Sequence, residues 1–287
     1  MYASGQTGNA VVHLGELSET RLKAGVDVMA HDFNPQRIEA AIMLHTEFAT
    51  MREVSSEKAR AHLELIQPLV RTLSKPSIAD SGVNTFLSRW YVVAVSTLLV
   101  RGDADAAHRY VTRAVGAFPA DSALRFWQAY VEETRNHLHD AESAYRLAIA
   151  HDAGDAEARL RLGWILHLEG QDAAARLQLD EVIGATREPI LLYLAHLFLG
   201  KVNEHDHDLP GAARHYDAAL TICPSCQTAY VASSLIEDRL GHHAKAREVA
   251  ARLAELSQGR TSEDPWWHYR ALGINLVALA WLRNAVR

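Results

Sequence analysis

A recurring alanine constrains the fold of this chain more than any other feature of its sequence. Successive members of this register are 34, 34, 37 and 34 residues apart (141 − 107, 175 − 141, 212 − 175 and 246 − 212): Ala107, Ala141, Ala175, Ala212 and Ala246. A second register repeats the same steps: Ala114, Ala148, Val182, Ala219 and Leu253. A fixed period in this range indicates a solenoid, in which each unit buries its apolar face against its neighbours.

The apolar residues between these alanines follow helical periodicity, and no useful stretch alternates as a strand would. We therefore predict five helical hairpins within residues 84–258, each made of a helix A and a helix B. Their predicted limits are 85–100 with 103–117, 123–133 with 141–150, 156–168 with 172–183, 189–202 with 210–222, and 227–240 with 243–256. Gly102, Gly170 and Gly241 fall at the A-to-B turns, where positive φ is often needed. In the fourth hairpin we predict a long turn over 203–208.

The flanking regions are predicted to be helical as well. Residues 1–83 form an N-terminal helical region, a degenerate hairpin with helices over 11–29 and 35–51 and a third from Ser55 onward. Asn34 is placed to cap the second of these helices, and Pro68 is expected to kink or break the third. Residues 259–287 form a linker and a C-terminal capping helix, which we expect to begin at Asp264 and seal the last hairpin.

Composition narrows the function. The formal net charge is −6, with 29 Lys and Arg against 35 Asp and Glu, which argues against a phosphate-tracking surface and hence against a nucleic-acid partner. The N-terminal residues lack the basic and apolar regions of a signal peptide, so we expect a cytoplasmic protein, or an exported one if a signal peptide has been removed. No window holds 18 apolar residues, so no membrane span is expected. Peripheral membrane association through the C-terminal helix stays open.

The repeat positions resemble those of the tetratricopeptide repeat, whose helix B carries a small residue, an aromatic residue and a second small residue before a proline. Ala212, Tyr216, Ala219 and Pro224 match that pattern in the fourth hairpin, and Ala141, Tyr145 and Ala148 match it in the second. The resemblance implies an all-α, right-handed tetratricopeptide-type α-solenoid that acts as a non-catalytic scaffold. The chain also resembles bacterial repeat proteins that end in Asp-Pro-Trp-Trp-x-Tyr, which residues 264–269 match.

The resemblance also implies a concave groove lined by helix A. Relatives that bind chaperone tails clamp a carboxylate with Lys and Asn at groove positions where this chain has apolar residues, among them Val231 and Leu235 in the fifth helix A. We therefore expect a protein partner that presents an apolar peptide or an amphipathic helix. The alternative is that the chain's own terminal helices fill the groove. The predicted partner-binding residues are Phe126, Tyr130, Trp164, His167, His196, Trp266 and Trp267.

Two further clusters have less specific patterns. His205, His207 and His242 lie in A-to-B turns, which share one edge of a solenoid. A metal-binding protein or metal-dependent enzyme using this edge is the alternative function, although solvated turns are the favoured interpretation. Cys223 and Cys226 flank Pro224 without a thioredoxin-like or zinc context, so we favour an unlinked pair over a local disulfide or thiol switch. No catalytic motif is found, and no cofactor is expected.

Overall fold

The computed structural model describes residues 14, 17–31, 34–258 and 264–265. All regular secondary structure in these residues is helical, as predicted. The helices are α1 Glu19–Met29, α2 Pro35–Thr50, α3 Ser56–Leu65, α4 Gln67–Leu73, α5 Ser81–Val100, α6 Ala104–Ala117, α7 Ser122–Thr134, α8 Leu138–His151, α9 Ala156–Leu168, α10 Asp172–Ala185, α11 Pro189–His205, α12 Leu209–Ile222, α13 Gln227–Arg239 and α14 His243–Gln258. In chain order, the helices α5 to α14 correspond to helices A and B of the five predicted hairpins.

The chain divides into two compact units, residues 1–131 with 273–287, and residues 132–272. The first unit contains α1 to α6 and most of α7, and the second contains α8 to α14. Within the second unit α8 to α13 each pack against the next helix along the chain, and α9 also packs against α11. The predicted domain limits at residues 83 and 258 stay predictions.

The recurring alanines lie where the helices pack most closely. Ala107, Ala141, Ala175 and Ala212 have no exposed surface, and Ala246 is 6% exposed. Opposite them, a Cβ at Gly163 of α9 would lie 2.7 Å from Cγ of Leu179, and a Cβ at Gly200 of α11 would overlap the ring of Tyr216. Small side chains therefore set the close approach of helices A and B within a hairpin.

All five A-to-B turns have the same backbone conformation. The residue before helix B's N-cap has positive φ in each: Gly102, Asn136, Gly170, His207 and Gly241. The following amide donates to the carbonyl five residues back, as from Asp103 to Leu98 and from Gln171 to Leu166. These bonds satisfy orphan carbonyls at the end of helix A, as in a Schellman motif. The glycine prediction is confirmed, and it missed Asn136 and His207, which occupy the same register.

Replacing His207 by glycine is expected to stabilise the second unit by about 0.5–1 kcal/mol. A side chain at positive φ costs about 1–2 kcal/mol, and the greater freedom of glycine in the unfolded chain offsets part of that gain. Urea denaturation of the full chain measures the change. The reverse exchange at the equivalent position, Gly241→His, should destabilise by a similar amount. Equal stability of both variants and the parent would contradict the prediction.

The second and third N-terminal helices, α2 and α3, each begin directly after a residue whose side chain caps the helix. The side chain of Asn34 accepts a hydrogen bond from the amide of Arg37, as predicted. Ser55, where the third helix was predicted to start, accepts one from the amide of Lys58. The helix expected over 11–29 is interrupted: Leu14 is helical, Leu17 and Ser18 are not, and α1 begins at Glu19 with Ser18 as its extended N-cap. Residues 11–13, 15 and 16 of that prediction lie outside the described residues. The predicted interruption near Pro68 is confirmed, since α3 ends at Leu65 and α4 begins at Gln67.

The long turn predicted over 203–208 is wrong. Helix α11 continues to His205, and its turn matches those of the other hairpins. Helix A starts earlier instead: α11 has 17 residues where α9 and α13 have 13, which takes up the three extra residues of this repeat and one residue of the preceding loop. Pro189 favours that early start, since a proline fits the first helical position without losing a hydrogen bond.

Two side chains hold the core of the first unit. Trp90 of α5 is fully buried, and its indole Nε1 donates to Thr46 Oγ1 of α2 at 2.9 Å. Arg101, at the end of α5, donates to the carbonyls of Ala49, Met51 and Val54. The guanidinium therefore satisfies carbonyls at the C-terminal end of α2 that have no helical partner.

Helix α5 has the length and apolar composition of a membrane span, the one such helix in the described part of the chain. In the structure, however, 72% of the most apolar 18-residue stretch of α5 is buried. A core helix of a folded domain meets the same criteria of length and composition. The expectation of no membrane span stays a prediction.

Candidate functional site

The predicted groove residues of the first unit lie in its core. Phe126 and Tyr130 of α7 are 8% and 5% exposed. Their rings stack with centroids 6.4 Å apart and an interplanar angle of 22°, and the ring of Trp127 meets both edge-on. Their contribution to partner binding stays a prediction, and so does that of Trp266 and Trp267, which lie outside the described residues.

In the second unit, the predicted groove residues are partly accessible. Trp164 of α9 is half-buried and stacks on Phe198 of α11 at 4.5 Å between ring centroids. Its ring also contacts His167, 5.4 Å away. His196 of α11 lies 3.1 Å from His215 of α12 between their Nδ1 atoms. Burial, and then the charge of His215, lowers the pKa of His196, so the pair favours the neutral form.

An exposed apolar pair lies on the next helix A. Val231 and Leu235 of α13 are 45% and 61% exposed, although both are large and apolar. Their spacing of four residues places them on one face of the helix. Both occupy groove positions in the predicted mapping, yet they were not among the predicted partner-binding residues. Their exposure depends on tertiary packing, which the helical periodicity does not report.

A shallow cleft lies beside this helix, between α13 and α14. Its volume is about 620 Å³, and its lining consists of Tyr230, Glu248, Ala251, Arg252, Glu255 and Leu256. Carboxylates and a guanidinium lie beside apolar side chains in this cleft, which suits a segment that has both apolar and charged side chains. The cleft is a second accessible surface of the fifth hairpin, and Val231 and Leu235 do not line it.

Asp264 joins the C-terminal segment to the helix A side of the second unit. This fully buried carboxylate accepts hydrogen bonds from the hydroxyl of Tyr193 at 3.0 Å and from the amide of Thr228 at 2.7 Å. Thr228 lies in the first turn of α13, whose own N-cap residue, Cys226, makes no side-chain cap. Asp264 therefore caps α13 from a distant part of the chain. Burial, and then the charge of Asp264, raises the pKa of Tyr193.

The two cysteines are joined by a disulfide, with their Cα atoms 5.4 Å apart. The favoured interpretation of an unlinked pair was therefore wrong, and its alternative of a local disulfide is what the structure contains. Cys223 ends α12 and Cys226 precedes α13, so the tight loop between two antiparallel helices brings the sulfur atoms together. The bond fixes this loop at the foot of the helix that carries Val231 and Leu235.

The histidines of the turns pair with carboxylates. His205 lies against Asp172. The ring centroids of His205 and His167 are 5.8 Å apart. His242 pairs with Glu237 at 2.7 Å. Within the described residues, the predicted combination of His205 with His207 and His242 is not among the His and carboxylate groups that could share an ion. The sequence missed Asp172, because nothing in its spacing shows that it meets histidines from two hairpins.

The carboxylate of Asp172 is held ionised by its two neighbours. It is 8% exposed, and burial alone would raise its pKa. Hydrogen bonds to His167 and His205 outweigh burial and lower the pKa of Asp172 below its usual value. The hydrogen bond between His205 and Asp172, followed by the charge of Asp172, raises the pKa of His205.

Comparison with known proteins identifies the repeat. The tetratricopeptide repeat family model matches residues 93–154 and 132–188, which run from the middle of α5 to just beyond the end of α10. Residues 93–188 are tetratricopeptide repeats. The buried alanine register and the uniform A-to-B turns continue this architecture through α14. No curated protein matches the chain.

Solved tetratricopeptide repeat structures share the fold at low sequence identity. MamA from Desulfovibrio magneticus RS-1 is 19% identical with a TM-score of 0.55, covering 61% of this chain and 97% of its own. PilF from Pseudomonas aeruginosa is 18% identical with a TM-score of 0.55, covering 68% of this chain and 88% of its own. A further MamA crystal structure is 19% identical with a TM-score of 0.51, covering 63% of this chain and 96% of its own. These likenesses establish the helical solenoid fold.

Proposed function

We propose that this protein is a protein-interaction scaffold that binds an apolar peptide or an amphipathic helix of a partner on the helix A side of its second unit. The observation that carries the proposal is the exposure of Val231 and Leu235, one turn apart on α13. Exposed apolar residues that form a stripe on one helix face are typical of helix-in-groove recognition. The accessible residues predicted for the same function, Trp164 and His196, belong to the same kind of helix in this unit.

The bound segment is expected to carry both apolar and charged residues. The cleft beside α13 contributes Leu256 and Ala251 as apolar contacts, with Arg252 and Glu255 as charged ones. A partner helix with an apolar face and flanking charges of both signs complements this surface. Aromatic side chains such as Trp164 supply the large contact areas that dominate binding energies at such interfaces.

Removing the exposed pair is expected to reduce partner recovery at least about tenfold. Each truncated anchor typically costs more than about 1 kcal/mol of binding free energy, and about 1.4 kcal/mol corresponds to a tenfold change in Kd. The variant Val231→Ser with Leu235→Ser is compared with the parent in pull-downs from the native source, quantified by mass spectrometry. Because both side chains are exposed, the fold should be retained, which far-UV circular dichroism checks.

The chain offers a matched control on its B helices. Leu147 of α8 and Leu177 of α10 are 46% and 65% exposed, close to the values for Val231 and Leu235. Leu147→Ser with Leu177→Ser removes a similar apolar area from the other helices of the hairpins and should leave recovery unchanged. Equal recovery with both double variants would exclude α13 as the binding surface.

A further inference from the structure

We propose that His167, Asp172 and His205 form a binding site for a divalent transition metal ion of the zinc class. The Nδ1 atom of His167 lies 2.6 Å from Oδ1 of Asp172, and Nδ1 of His205 contacts Oδ2 of the same carboxylate. The three candidate ligand atoms lie within 4.8 Å of one another. A metal ion would replace the protons that the ring nitrogens now share with the carboxylate.

The fold fixes these ligands from three successive helices. His167 lies in the last turn of α9, Asp172 begins α10, and His205 ends α11. The A-to-B turn of the third hairpin sets the first two ligands, and the packing of α9 and α10 against α11 brings in the third. The contact of His167 with the ring of Trp164 further restricts its orientation. Such constraint lowers the entropic cost of binding an ion.

The donor set selects the class of metal. Two imidazole nitrogens and one carboxylate oxygen are the usual ligands of zinc sites that leave a fourth position open. Magnesium and calcium prefer oxygen ligands throughout, so two histidines disfavour them. His205 is 65% exposed in its side chain, which gives an ion and a fourth ligand access from solvent.

Neighbouring clusters offer weaker donor sets. Two other groups in the second unit have one histidine each with two carboxylates: Glu132, His137 and Asp140, and His139, Glu142 and Glu169. The pair of His242 with Glu237 occupies the turn of the fifth hairpin, where Lys245 Nζ also lies 2.7 Å from Glu237. Arg176, the cationic residue of α10, is paired with Asp206 at 2.6 Å.

The proposal is tested on metal-stripped, full-length protein without a histidine tag. Zinc binding is measured by isothermal titration calorimetry, and retained zinc is measured by elemental analysis after gel filtration. We expect one equivalent in the parent and a Kd at least about tenfold weaker in Asp172→Asn and in His205→Gln, since a fixed ligand is lost. His242→Gln is the matched control and should leave the Kd unchanged.

Three results would overturn the site. They are absence of stoichiometric zinc in the parent, zinc binding that survives both substitutions, and an equal loss in His242→Gln. If Asp172→Asn fails to fold, the exposed position of His205 makes His205→Gln the deciding variant, with its helical content checked by circular dichroism. Zinc binding needs no protein partner, so its failure leaves the scaffold proposal unaffected.

Discussion

Replacing Trp90 by alanine is expected to lower the free energy of unfolding of the first unit by about 3–5 kcal/mol, the usual cost of removing a fully buried large aromatic side chain. The indole is fully buried between α5 and its neighbours and contacts the rings of Tyr91 and Tyr110 at 4.8 and 6.0 Å. Its removal leaves a cavity at the point where the first hairpin meets the N-terminal helices. Amide hydrogen exchange of α2 and α5, followed by mass spectrometry, measures the loss locally.

A second variant separates packing from hydrogen bonding. Trp90→Phe keeps most of the apolar volume and removes the donor to Thr46, whose hydroxyl still donates to the carbonyl of Ile42 at 2.7 Å. We expect this variant to lose less stability than Trp90→Ala, because a hydrogen bond contributes about 0.5–1.5 kcal/mol net. A loss below about 1 kcal/mol in Trp90→Ala would contradict the assignment of Trp90 to the core.

Lowering the pH from 7 to 4 is expected to destabilise the first unit by about 3 kcal/mol through one histidine pair. His45 of α2 and His62 of α3 are both buried, with their Nδ1 atoms 3.1 Å apart. Burial, and then the charge of His62, lowers the pKa of His45 to about 4. Burial, and then the charge of Lys58, lowers the pKa of His62. One ring donates and the other accepts, an arrangement that requires at least one neutral ring.

The direction of the effect follows from the two states. In the unfolded chain His45 takes up a proton near pH 6.5, whereas in the folded chain it does so only near pH 4. The stability that the pair contributes is therefore complete above about pH 6.5 and is lost as the pH falls towards about 4. At about 1.36 kcal/mol per pH unit, this difference corresponds to about 3 kcal/mol.

Hydrogen exchange of α2 and α3 at several pH values, corrected for intrinsic exchange, tests this dependence. His45→Gln should make the stability of these helices less dependent on pH in that interval. His31→Gln removes an exposed histidine from the same unit and should leave the dependence unchanged. The same pH dependence in His45→Gln as in the parent would contradict the role of the pair.

Local features of this fold were predictable because they depend on neighbouring residues. The caps at Asn34 and Ser55, the break before Pro68 and the glycine turns all follow from backbone chemistry within a few positions. Asn136 and His207 at positive φ were missed, although each lies 34 or 37 residues from a turn glycine and so occupies the same register. Asn and His are among the residues most often found there.

Contacts between distant residues were not predictable in this way. Asp264 meets Tyr193 and Thr228 across 71 and 36 residues, and Arg101 reaches carbonyls about 50 residues earlier. Asp172 joins histidines of two hairpins, which only the stacking of α9, α10 and α11 brings together. Among the groove positions, buried Phe126 and exposed Leu235 could not be told apart from helical periodicity alone.

Site-specific photocrosslinking at residue 235 tests the scaffold proposal most directly. A benzophenone side chain replaces Leu235 in one protein and Leu177, which is similarly exposed on helix B, in the other. We predict that a partner protein crosslinks to position 235 and that position 177 gives no such product. Equal crosslinking at both positions, or a crosslink from 235 only to the chain's own residues beyond 258, would contradict partner binding at this surface.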